Sequence, residues 1–314
     1  MASIPLRIVF MGTPDFAVPA LTAIHGRGHH VVCVVTQPDR PKGRGRLLTP
    51  PPVKNAAAVL GLPVIQPATI RSAEALHDIR RLAPDALVVV AYGQIIPAAL
   101  LKIPRLGPIN IHASLLPKFR GAAPIQWAII TGERETGVTT MLMDTGVDTG
   151  DILLSAATPI ADTDTSQSLH DRLATMGGEL ILDTLEGLAQ GAISPVPQNP
   201  AYATLAPMLK KSDGAIDWTA PAATIAARIR GLTPWPGAFT TIDGKRISVL
   251  EATVVPMPES AMPGTVLRRF QNQLVVAAGS EALAITRVQG ASGKTLVIAD
   301  YLRGRPICPG TVLT

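Results

Sequence analysis

The first 143 residues alternate short runs rich in β-branched residues with segments of helical apolar periodicity, and this alternation constrains the fold more than any other feature. It is typical of βα units, in which helices cover a mainly parallel sheet. The runs predict strands at 6–11, 31–36, 86–91, 108–112 and 137–143. The intervening spacing predicts helices at 16–25, 53–60, 73–82 and 122–130, and a longer helix at 166–189. The sequence therefore predicts an α/β domain with a Rossmann-like, mainly parallel sheet.

The pattern changes after residue 207, where one predicted helix is followed by short strands. The helix is predicted at 220–230, and the strands at 239–242, 245–252, 264–269, 273–277, 283–288 and 295–299. Regularly spaced short strands, with a hairpin signal at Asp243-Gly244, favour a smaller OB-like β-barrel. A proline-rich connector begins at about 194, so we predict one domain at 1–207 and a second at 208–314. The pentapeptide PGTVL occurs twice in the second domain, which we interpret as chance or as two similar turns that enter strands.

Composition excludes several classes of protein. Apolar residues are 47% and charged residues 16% of the chain, as in well-packed globular proteins. The longest apolar run, 86–92, is far shorter than the ~20 residues of a membrane helix, and the stretch at 8–11 is too short for a secretory signal, so we expect a cytoplasmic protein. Two cysteines, Cys33 and Cys308, cannot form a disulfide framework or a zinc cluster. Gly12 alone stands where a dinucleotide fingerprint needs three glycines, which argues against nicotinamide or flavin binding.

Positive charge is concentrated in two places. Residues 208–314 carry 12 Lys and Arg against 7 Asp and Glu, whereas residues 1–207 carry 16 of each kind. The segment 38–54 has five cations and one Asp among five prolines and two glycines, which predicts an exposed loop. Its cations are Arg40, Lys42, Arg44, Arg46 and Lys54. Exposed cations on a loop are suited to phosphate contacts, so a polyanion is a candidate partner, and a merely solvated surface is the alternative.

Polar residues suited to catalysis lie at the end of the predicted strand 108–112. Asn110 and His112 are two residues apart, so their side chains share one face of the strand, at the edge where α/β proteins bind ligands. A glycine-rich and threonine-rich loop at 143–151 follows another predicted strand and supplies three carboxylates. They belong to Asp144, Asp148 and Asp151. A lone Asn or His at a strand end is more often a local hydrogen-bonding group, but their combination with an acidic loop predicts a catalytic cleft.

At these residues the sequence resembles a known family, the folate-dependent formyltransferases. The matching stretches are FMGTPDFA (10–17), TQPDRPKGRGR (36–46), VVVAYGQIIP (88–97), NIHASLLPKFRGAAPIQ (110–126) and TGVTTMLMDTGVDTGD (136–151). Weaker similarity, in IDW (216–218) and LTPWPG (232–237), extends the resemblance over nearly the whole chain. The combination of Asn-x-His with Ser-Leu-Leu-Pro is specific for the formyltransferase fold. The basic segment and the additional barrel resemble the branch of the family that acts on initiator tRNA.

The resemblance implies transfer of the formyl group of 10-formyltetrahydrofolate to the free amino group of methionyl initiator tRNA, for translation initiation. It assigns catalysis to Asn110, His112 and Asp148. The folate would contact the turn formed by Ser114, Leu115, Leu116 and Pro117, and its pterin would lie near 88–93, at Val90 and Tyr92. The tRNA would be gripped by Arg40, Lys42, Arg44 and Arg46, while the barrel follows its backbone. We expect a monomer that requires no metal.

The chemistry of the transfer agrees with these roles. The reaction passes through a tetrahedral oxyanion, to which the amide NH₂ of Asn110 can donate, and one such donor is typically worth about 2.7 to 4 kcal/mol. His112 can carry a proton from the attacking amine to the leaving nitrogen, which typically contributes about 10² to 10⁴ in rate. A nearby Asp148 carboxylate would favour the protonated imidazole.

Two other functions stay open at this point. The protein could formylate a small amine, such as glycinamide ribonucleotide or an amino sugar, although such an enzyme would not need the additional barrel. It could also be a non-catalytic RNA-binding protein on an enzyme-like scaffold, which the intact catalytic residues argue against. The remaining histidines show no ligand spacing and are expected to be structural or surface residues.

Overall fold

The computed structural model describes residues 5–43, 45, 47–257, 260–270, 273–290 and 293–314, and the chain forms two compact units. The first unit comprises the residues up to 124 together with 136–158 and 170–206. The second comprises 125–135, 159–169 and 207–314. Two short excursions of the chain therefore group with the C-terminal residues.

The elements that precede residue 207 alternate between strands and helices. The strands are β1 (Arg7–Gly12), β2 (His30–Val35), β3 (Arg40–Lys42), β4 (Leu47–Thr49), β5 (Val64–Ile65), β6 (Ala86–Val90), β7 (Pro108–His112), β8 (Arg120–Gly121), β9 (Glu135–Leu142), β10 (Ile152–Pro159) and β11 (Leu205–Ala206). The helices are α1 (Val18–Gly26), α2 (Pro52–Val59), α3 (Ala73–Arg81), α4 (Ala98–Leu101), α5 (Pro124–Ile130) and α6 (Ser166–Ala189). Every helix predicted for this part of the chain is present.

Within the described residues, a seven-stranded sheet forms the centre of the first unit, in the order β10-β9-β7-β6-β1-β2-β5. The strands from β7 to β5 pair in parallel, and β9 pairs antiparallel with β7. The predicted mainly parallel sheet is thus confirmed. All residues of β6 and β7 are buried, as expected of parallel strands that are covered on both faces. Strand β7 has the predicted bounds, and the other four predicted strands differ from the observed ones by one or two residues at one or both ends.

The strand order opens a crevice between β1 and β6. From β1 the chain proceeds to β2 and β5 on one side, and afterwards to β6 and β7 on the other. The loops that leave β1 and β6 therefore diverge, and open α/β sheets bind ligands at such points. Gly12 ends β1 here, where a Cβ would lie 2.8 Å from the Cβ of Ala17 and 3.2 Å from the carbonyl oxygen of Val90. The single glycine of this turn thus serves close packing between neighbouring segments.

The basic segment was predicted to be a loop, but part of it is a hairpin. Strand β3 pairs antiparallel with β4, from Arg40 opposite Thr49 to Lys42 opposite Leu47, and α2 begins at Pro52. All three residues of β4 are exposed, so this hairpin lacks the alternation of buried and exposed residues by which a strand is recognised. Arg44 and Arg46, which stand between the two strands in the sequence, lie outside the described residues.

Helix α6 has the predicted bounds, and local hydrogen bonds explain its start. The Oγ1 of Thr165 accepts from the backbone N–H of Ser168 at 3.2 Å, and the Oγ of Ser168 accepts from the N–H of Thr165 at 3.1 Å. This reciprocal pair satisfies amide groups that the first turn of a helix leaves without a partner. Among the described residues, no helix combines the length and apolar character required to cross a membrane.

The second unit contains a helix followed by a curled antiparallel sheet and a short final helix. Its main elements are α7 (Ala222–Gly231), β12 (Ala238–Ile242), β13 (Lys245–Val255), β14 (Val266–Phe270), β15 (Gln273–Ala277), β16 (Ala282–Gln289), β17 (Thr295–Val297) and α8 (Ile298–Gly304). The strands pair in the order β12-β13-β16-β15-β14, with β17 against β16. Buried Trp218 anchors the core that α7 and these strands enclose, and its indole N–H donates to the Oγ1 of Thr240 at 3.0 Å.

The last residues of the chain connect the two ends of this sheet. The N–H of Leu313 donates to the carbonyl of Gly264 at 2.8 Å, just before β14, and Thr314 exchanges two backbone hydrogen bonds with Thr241 on β12. Thr265 and Val312 form an antiparallel bridge, so the two copies of PGTVL pair with each other. The repeat therefore reflects two similar strand entries. The predicted smaller β-domain is confirmed, and its closure depends on a segment that was not predicted to be a strand.

Several elements were not predicted, and each has a weak sequence signal. Strands β5, β8 and β11 have two residues each, and α4 has four. Strand β10 lies at the edge of the large sheet, and only two of its eight residues are buried. The strand predicted at 295–299 ends at Val297, where α8 begins.

Candidate active site

Strand β7 carries two polar side chains into the interior of the first unit. Asn110 lies opposite Val89 of β6 and Met141 of β9, and His112 ends the strand. Both are buried, with 9% of Asn110 and 6% of His112 exposed. Within the described part of the chain, the carboxamide of Asn110 makes no hydrogen bond. The amide keeps some contact with solvent, so it is available to bind a ligand.

The imidazole of His112 is held in one tautomer. Its Nε2 lies 2.9 Å from the carbonyl oxygen of Phe119. Because a carbonyl oxygen only accepts, Nε2 must carry a hydrogen, and Nδ1 of the neutral ring is left with its lone pair free. Nδ1 lies 3.7 Å from the Oδ2 of Asp148. A proton taken up by His112 would therefore arrive at Nδ1, beside a carboxylate that stabilises the resulting imidazolium.

Asp148 is the member of the acidic loop that faces His112. Its Oδ2 also accepts the backbone N–H of Gly121 at 2.8 Å, and its side chain is 17% exposed. Its backbone is left-handed, with a φ of 52°, a conformation that costs free energy unless the surroundings hold it. Asp144 instead accepts from the N–H of Gly146 at 2.9 Å and from the hydroxyl of Thr149, so its carboxylate stabilises the loop itself. The geometry thus selects Asp148 from the acids that the sequence offered.

Gln198 holds the Asp148 loop in place. Its Nε2 donates to the carbonyl of Asp148 at 2.9 Å and to that of Gly150 at 2.7 Å. Its Oε1 accepts from Nε and Nη2 of Arg120, at 3.0 and 2.7 Å. One amide therefore links the acidic loop to β8, whose Gly121 binds the Asp148 carboxylate. Sequence reasoning missed Gln198 because it stands in a proline-rich connector with no local motif.

The turn after His112 is internally bonded. The hydroxyl of Ser114 donates to the carbonyl of Lys118 at 2.6 Å, and Ser114 is fully buried. The Oγ1 of Thr139, on β9, donates to the carbonyl of Ser114 at 2.7 Å and accepts from the N–H of Leu116 at 3.2 Å. Leu115 and Pro117 are half-buried, and Leu116 is buried. The Ser114–Pro117 turn is therefore a rigid wall beside the candidate catalytic residues, and it stays a predicted folate contact.

A cavity of about 410 Å³ lies at the ends of β1, β2 and β6, in the first unit. Its lining includes Thr13, Gln37, Arg40, Ala91, Tyr92 and Gly93 together with prolines. Of the predicted folate contacts, Tyr92 thus lines the cavity, whereas Val90 is fully buried in β6. The predicted pterin site at 88–93 and this cavity share residues.

The four predicted tRNA contacts are only partly described. Arg40 is exposed, lines the cavity and donates from Nη2 to the Oε1 of Gln37 at 3.2 Å. Lys42 ends β3, with its side chain outside the description, and Arg44 and Arg46 are outside it altogether. Lys54 forms a 2.8 Å ion pair with Asp39. Hydrogen bonds from Lys54 and Gln66 hold the pKa of Asp39 below its usual range. Because Lys54 is paired with Asp39, the net positive charge of the segment 38–54 comes from its other four cations, Arg40, Lys42, Arg44 and Arg46.

This arrangement suits transfer of an acyl-type group to a nucleophile. A free amide donor can stabilise an oxyanion, and an imidazole backed by a carboxylate can receive a proton. In the part of the chain that the structure describes, no cluster of three or more His, Cys, Asp or Glu is placed to hold a metal ion.

Residues 6–185 match the family described as Formyl transferase, and residues 208–306 match Formyl transferase, C-terminal domain. The chain is 52% identical over 306 residues to a methionyl-tRNA formyltransferase of Pelobacter propionicus, covering 98% of this chain and 95% of the relative. It is 50% identical over 308 residues to the methionyl-tRNA formyltransferase of Geobacter sulfurreducens, covering 98% and 96%.

Two solved structures share the fold at low sequence identity. An N-formyltransferase of Helicobacter canadensis, in complex with folinic acid and dTDP-3-aminofucose, is 18% identical with a TM-score of 0.67, over 89% of this chain and 99% of that one. HypX of Aquifex aeolicus, in complex with tetrahydrofolic acid, is 19% identical with a TM-score of 0.62, over 99% of this chain and 51% of that one. At such identities the likeness shows the fold alone.

Replacing Gln198 with Ala should lower the turnover of the predicted formyl transfer by about tenfold, because the Asp148 loop would lose the two hydrogen bonds that hold it. The KM for the folate should change little. Gln198→Glu keeps the contact to Arg120 but cannot donate to the two carbonyls, so it should resemble the Ala variant in turnover. Steady-state kinetics and melting temperatures of both variants make the measurement. The matched control is Gln190→Ala, at an exposed glutamine just after α6, and wild-type turnover in Gln198→Ala would remove the assignment.

Proposed function

Because this chain belongs to the methionyl-tRNA formyltransferase family, we propose that it transfers a formyl group to the free amino group of methionyl initiator tRNA, for translation initiation. The observation that carries the proposal is the meeting of Asn110, His112 and Asp148 at the carboxyl end of β7. It occurs in a chain that aligns over 98% of its length with relatives of that name. A small-amine acceptor is less well supported, because the N-formyltransferase of similar fold, solved in complex with dTDP-3-aminofucose, is only 18% identical.

The formyl donor in this proposal is 10-formyltetrahydrofolate. The resemblance of the sequence to folate-dependent enzymes supports it, as does the tetrahydrofolic acid bound by a structure of similar fold. The donor would lie against the Ser114–Pro117 turn and the loop that follows β6. Since the hydroxyl of Ser114 and the side chain of Val90 are buried, these two residues would contribute backbone groups and shape. Tyr92 would contribute from the cavity lining.

The catalytic residues then have the following roles. The neutral amine of the methionyl group attacks the formyl carbon, and the amide NH₂ of Asn110 donates to the oxyanion that forms. The amine proton passes to Nδ1 of His112, and Asp148 stabilises the imidazolium. Collapse of the intermediate breaks the bond between the formyl carbon and N10 of the folate, and His112 returns the proton to N10. The products are the formylated tRNA and tetrahydrofolate, so atoms and charge balance.

The tRNA contacts in this proposal come from the basic hairpin and from residues 208–314, which carry the positive excess of the chain. Exposed Arg40 lines the cavity, together with Pro41 of β3 and Thr49 of β4. Residues 1–207 would thus perform the catalysis, and 208–314 would bind tRNA. A cytoplasmic location and a monomeric state stay predictions.

The proposal is tested by an assay of three acceptors with 10-formyltetrahydrofolate as donor. We expect methionyl initiator tRNA to be formylated, and free methionine and glycinamide ribonucleotide to react at least about a hundredfold more slowly, because they cannot use the basic segments for binding. Release of tetrahydrofolate and retention of the formyl group on the tRNA are the measurements. Preferential use of glycinamide ribonucleotide would favour the small-amine function instead.

Substitution by Ala of Asn110, of His112 or of Asp148 should reduce turnover at least about tenfold while the fold is preserved, because each removes one interaction made in the transition state. Saturating both substrates separates this effect from weaker binding. Glu179→Ala is the control, since that carboxylate is exposed on α6 and lies outside the Asp148 loop. Full turnover in His112→Ala would exclude its role as the proton carrier.

Neutralising Arg40, Lys42, Arg44 and Arg46 to Gln should weaken tRNA binding and flatten its dependence on salt. The slope of log affinity against log salt should fall by roughly 0.7 to 0.9 for each phosphate contact that is lost. Tetrahydrofolate affinity should be nearly unchanged. A control with the same change of charge replaces Arg71, Arg80, Arg81 and Lys102, which are exposed on or near α3 and α4. Equal slopes in the two variants would mean that the segment is only solvated surface.

A further inference from the structure

The peptide between Phe119 and Arg120 fixes which ring nitrogen of His112 carries a hydrogen. Its carbonyl accepts from Nε2 of His112 at 2.9 Å, which leaves the lone pair on Nδ1. In the proposed reaction that lone pair receives the proton of the amine. A rotation of this peptide would replace the carbonyl by an N–H, and the imidazole would then have to present the opposite tautomer. The orientation of one backbone group thus decides whether His112 can accept a proton at Nδ1, beside Asp148.

The backbone at Phe119 does not adopt this orientation by itself. Phe119 has a left-handed conformation, with a φ of 60°, and residues other than glycine keep such a conformation only where surrounding contacts hold them. The phenyl ring is buried, which fixes the side chain. The strand that follows, β8, has only two residues and begins after Phe119. The contacts that hold the backbone of Phe119 must therefore come from another part of the chain.

Thr204, in the proline-rich connector directly before β11, supplies such contacts. Its Oγ1 accepts from the N–H of Phe119 at 2.8 Å. Its carbonyl oxygen accepts from the N–H of Arg120 at 2.9 Å, and its own N–H donates to the carbonyl of Pro117 at 3.4 Å. The peptide that binds His112 is therefore held on both sides, at its carbonyl by the imidazole and at its N–H by Thr204.

The pairing of β11 with β8 holds Thr204 at this place. The two strands are parallel, and their register sets Ala206 opposite Gly121. The carbonyl of Ala206 accepts from the N–H groups of Ala122 and Ala123, at 2.9 and 3.2 Å. A Cβ on Gly121 would lie 2.8 Å from the same carbonyl oxygen, so a larger residue there would push the two segments apart. This close ladder keeps Thr204 beside the residues that precede β8.

We propose that Thr204 is a positioning residue for His112. Its hydroxyl and its carbonyl hold the backbone that aims the Phe119 carbonyl at Nε2, and this keeps Nδ1 free to take the proton of the amine. The inference rests on the proposed function, because that reaction is the one in which His112 carries a proton. Gln198, earlier in the same connector, holds the loop of Asp148. The connector thus orients both partners of the proton transfer, the carboxylate and the imidazole.

The first test is steady-state kinetics of the full-length protein with methionyl-tRNA and 10-formyltetrahydrofolate. Thr204→Val keeps the shape of the side chain and removes the hydroxyl, and because Thr204 is exposed, the valine fits without repacking the interior. We expect turnover to fall about tenfold with both KM values unchanged, since His112 is misplaced while the binding contacts stay intact. Thr204→Ser keeps the hydroxyl and should regain most of the turnover. The control Thr175→Val removes an exposed hydroxyl that bonds within α6 and should behave as the wild type.

The second test observes the tautomer of His112 and does not require formyl transfer. The chemical shifts of the two ring nitrogens differ according to which one carries the hydrogen, so nitrogen NMR of the histidine-labelled protein, under mildly alkaline conditions where histidines are neutral, reports the tautomer. The signals of His112 are those that disappear in His112→Ala. We expect the hydrogen on Nε2 in the wild type and in Thr204→Ser. Thr204→Val should show a larger share of the Nδ1–H form, because Asp148 accepts from Nδ1 once the Phe119 carbonyl is displaced.

The two measurements together separate positioning from a merely structural role. Wild-type turnover in Thr204→Val would overturn the inference while the proposed function stands. Reduced turnover with the wild-type tautomer, or a loss that serine does not restore, would mean that Thr204 only stabilises the fold, and a lower melting temperature would accompany it. If the protein does not formylate methionyl-tRNA but the tautomer changes in Thr204→Val, the proposed function fails and the positioning of His112 by Thr204 is still supported.

Discussion

The parallel pairing of β1 with β2 on one side and with β6 on the other is the constraint on which the functional part of this chain depends. Because the chain reverses its direction of winding across the sheet there, the loops that leave these strands diverge and leave a cavity. Strand β7 extends the same ladder and sets Asn110 opposite Val89, two residues before the first lining residue that follows β6. The cavity and the candidate catalytic residues are thus both positioned by the register in which β1, β6 and β7 pair.

The parts that could be predicted from the sequence are those whose signals are local. Strands β6 and β7 are buried on both faces, so they read as short continuous apolar runs with definite ends, and the bounds of β7 were predicted correctly. Helix α6 was predicted with its observed bounds because polar capping residues precede it and Gly191 follows it. Asn110 and His112 were paired on the same evidence, since two residues on one strand must share a face.

The rest depended on contacts between distant parts of the chain. Gln198 joins Arg120 and Asp148, which are 78 and 50 residues away, and nothing next to it in the sequence indicates this role. The choice of Asp148 over Asp144 required the N–H of Gly121, which only folding brings near. The hairpin β3–β4 was predicted to be a loop because all three residues of β4 are exposed, so burial produces no periodic pattern in that strand. Packing between distant segments determines these contacts, and the local periodicity of the sequence does not reveal it.

The electrostatics of the candidate active site also follow from backbone groups more than from charged side chains. The carbonyl of Phe119 fixes the His112 tautomer, and the N–H of Gly121 fixes the Asp148 carboxylate. Before the reaction the site carries the single negative charge of Asp148. When the amine attacks and its proton moves to Nδ1, an imidazolium and an oxyanion appear together, so the net charge of the site does not change. The imidazolium forms 3.7 Å from the carboxylate, where their attraction offsets the cost of a buried cation.

The order in which these charges appear during the reaction explains why a neutral carboxamide suits position 110. A Lys or Arg there would add a permanent positive charge to a buried site and would need a negatively charged partner before the substrates bind, leaving less stabilisation to gain in the transition state. The amide of Asn110 has no such partner in the described part of the chain, so its donor capacity is available when the oxyanion develops. Preorganised dipoles stabilise charge that develops late without first having to be desolvated or moved. Strand β7 supplies this by holding Asn110 in a fully buried strand, between β6 and β9.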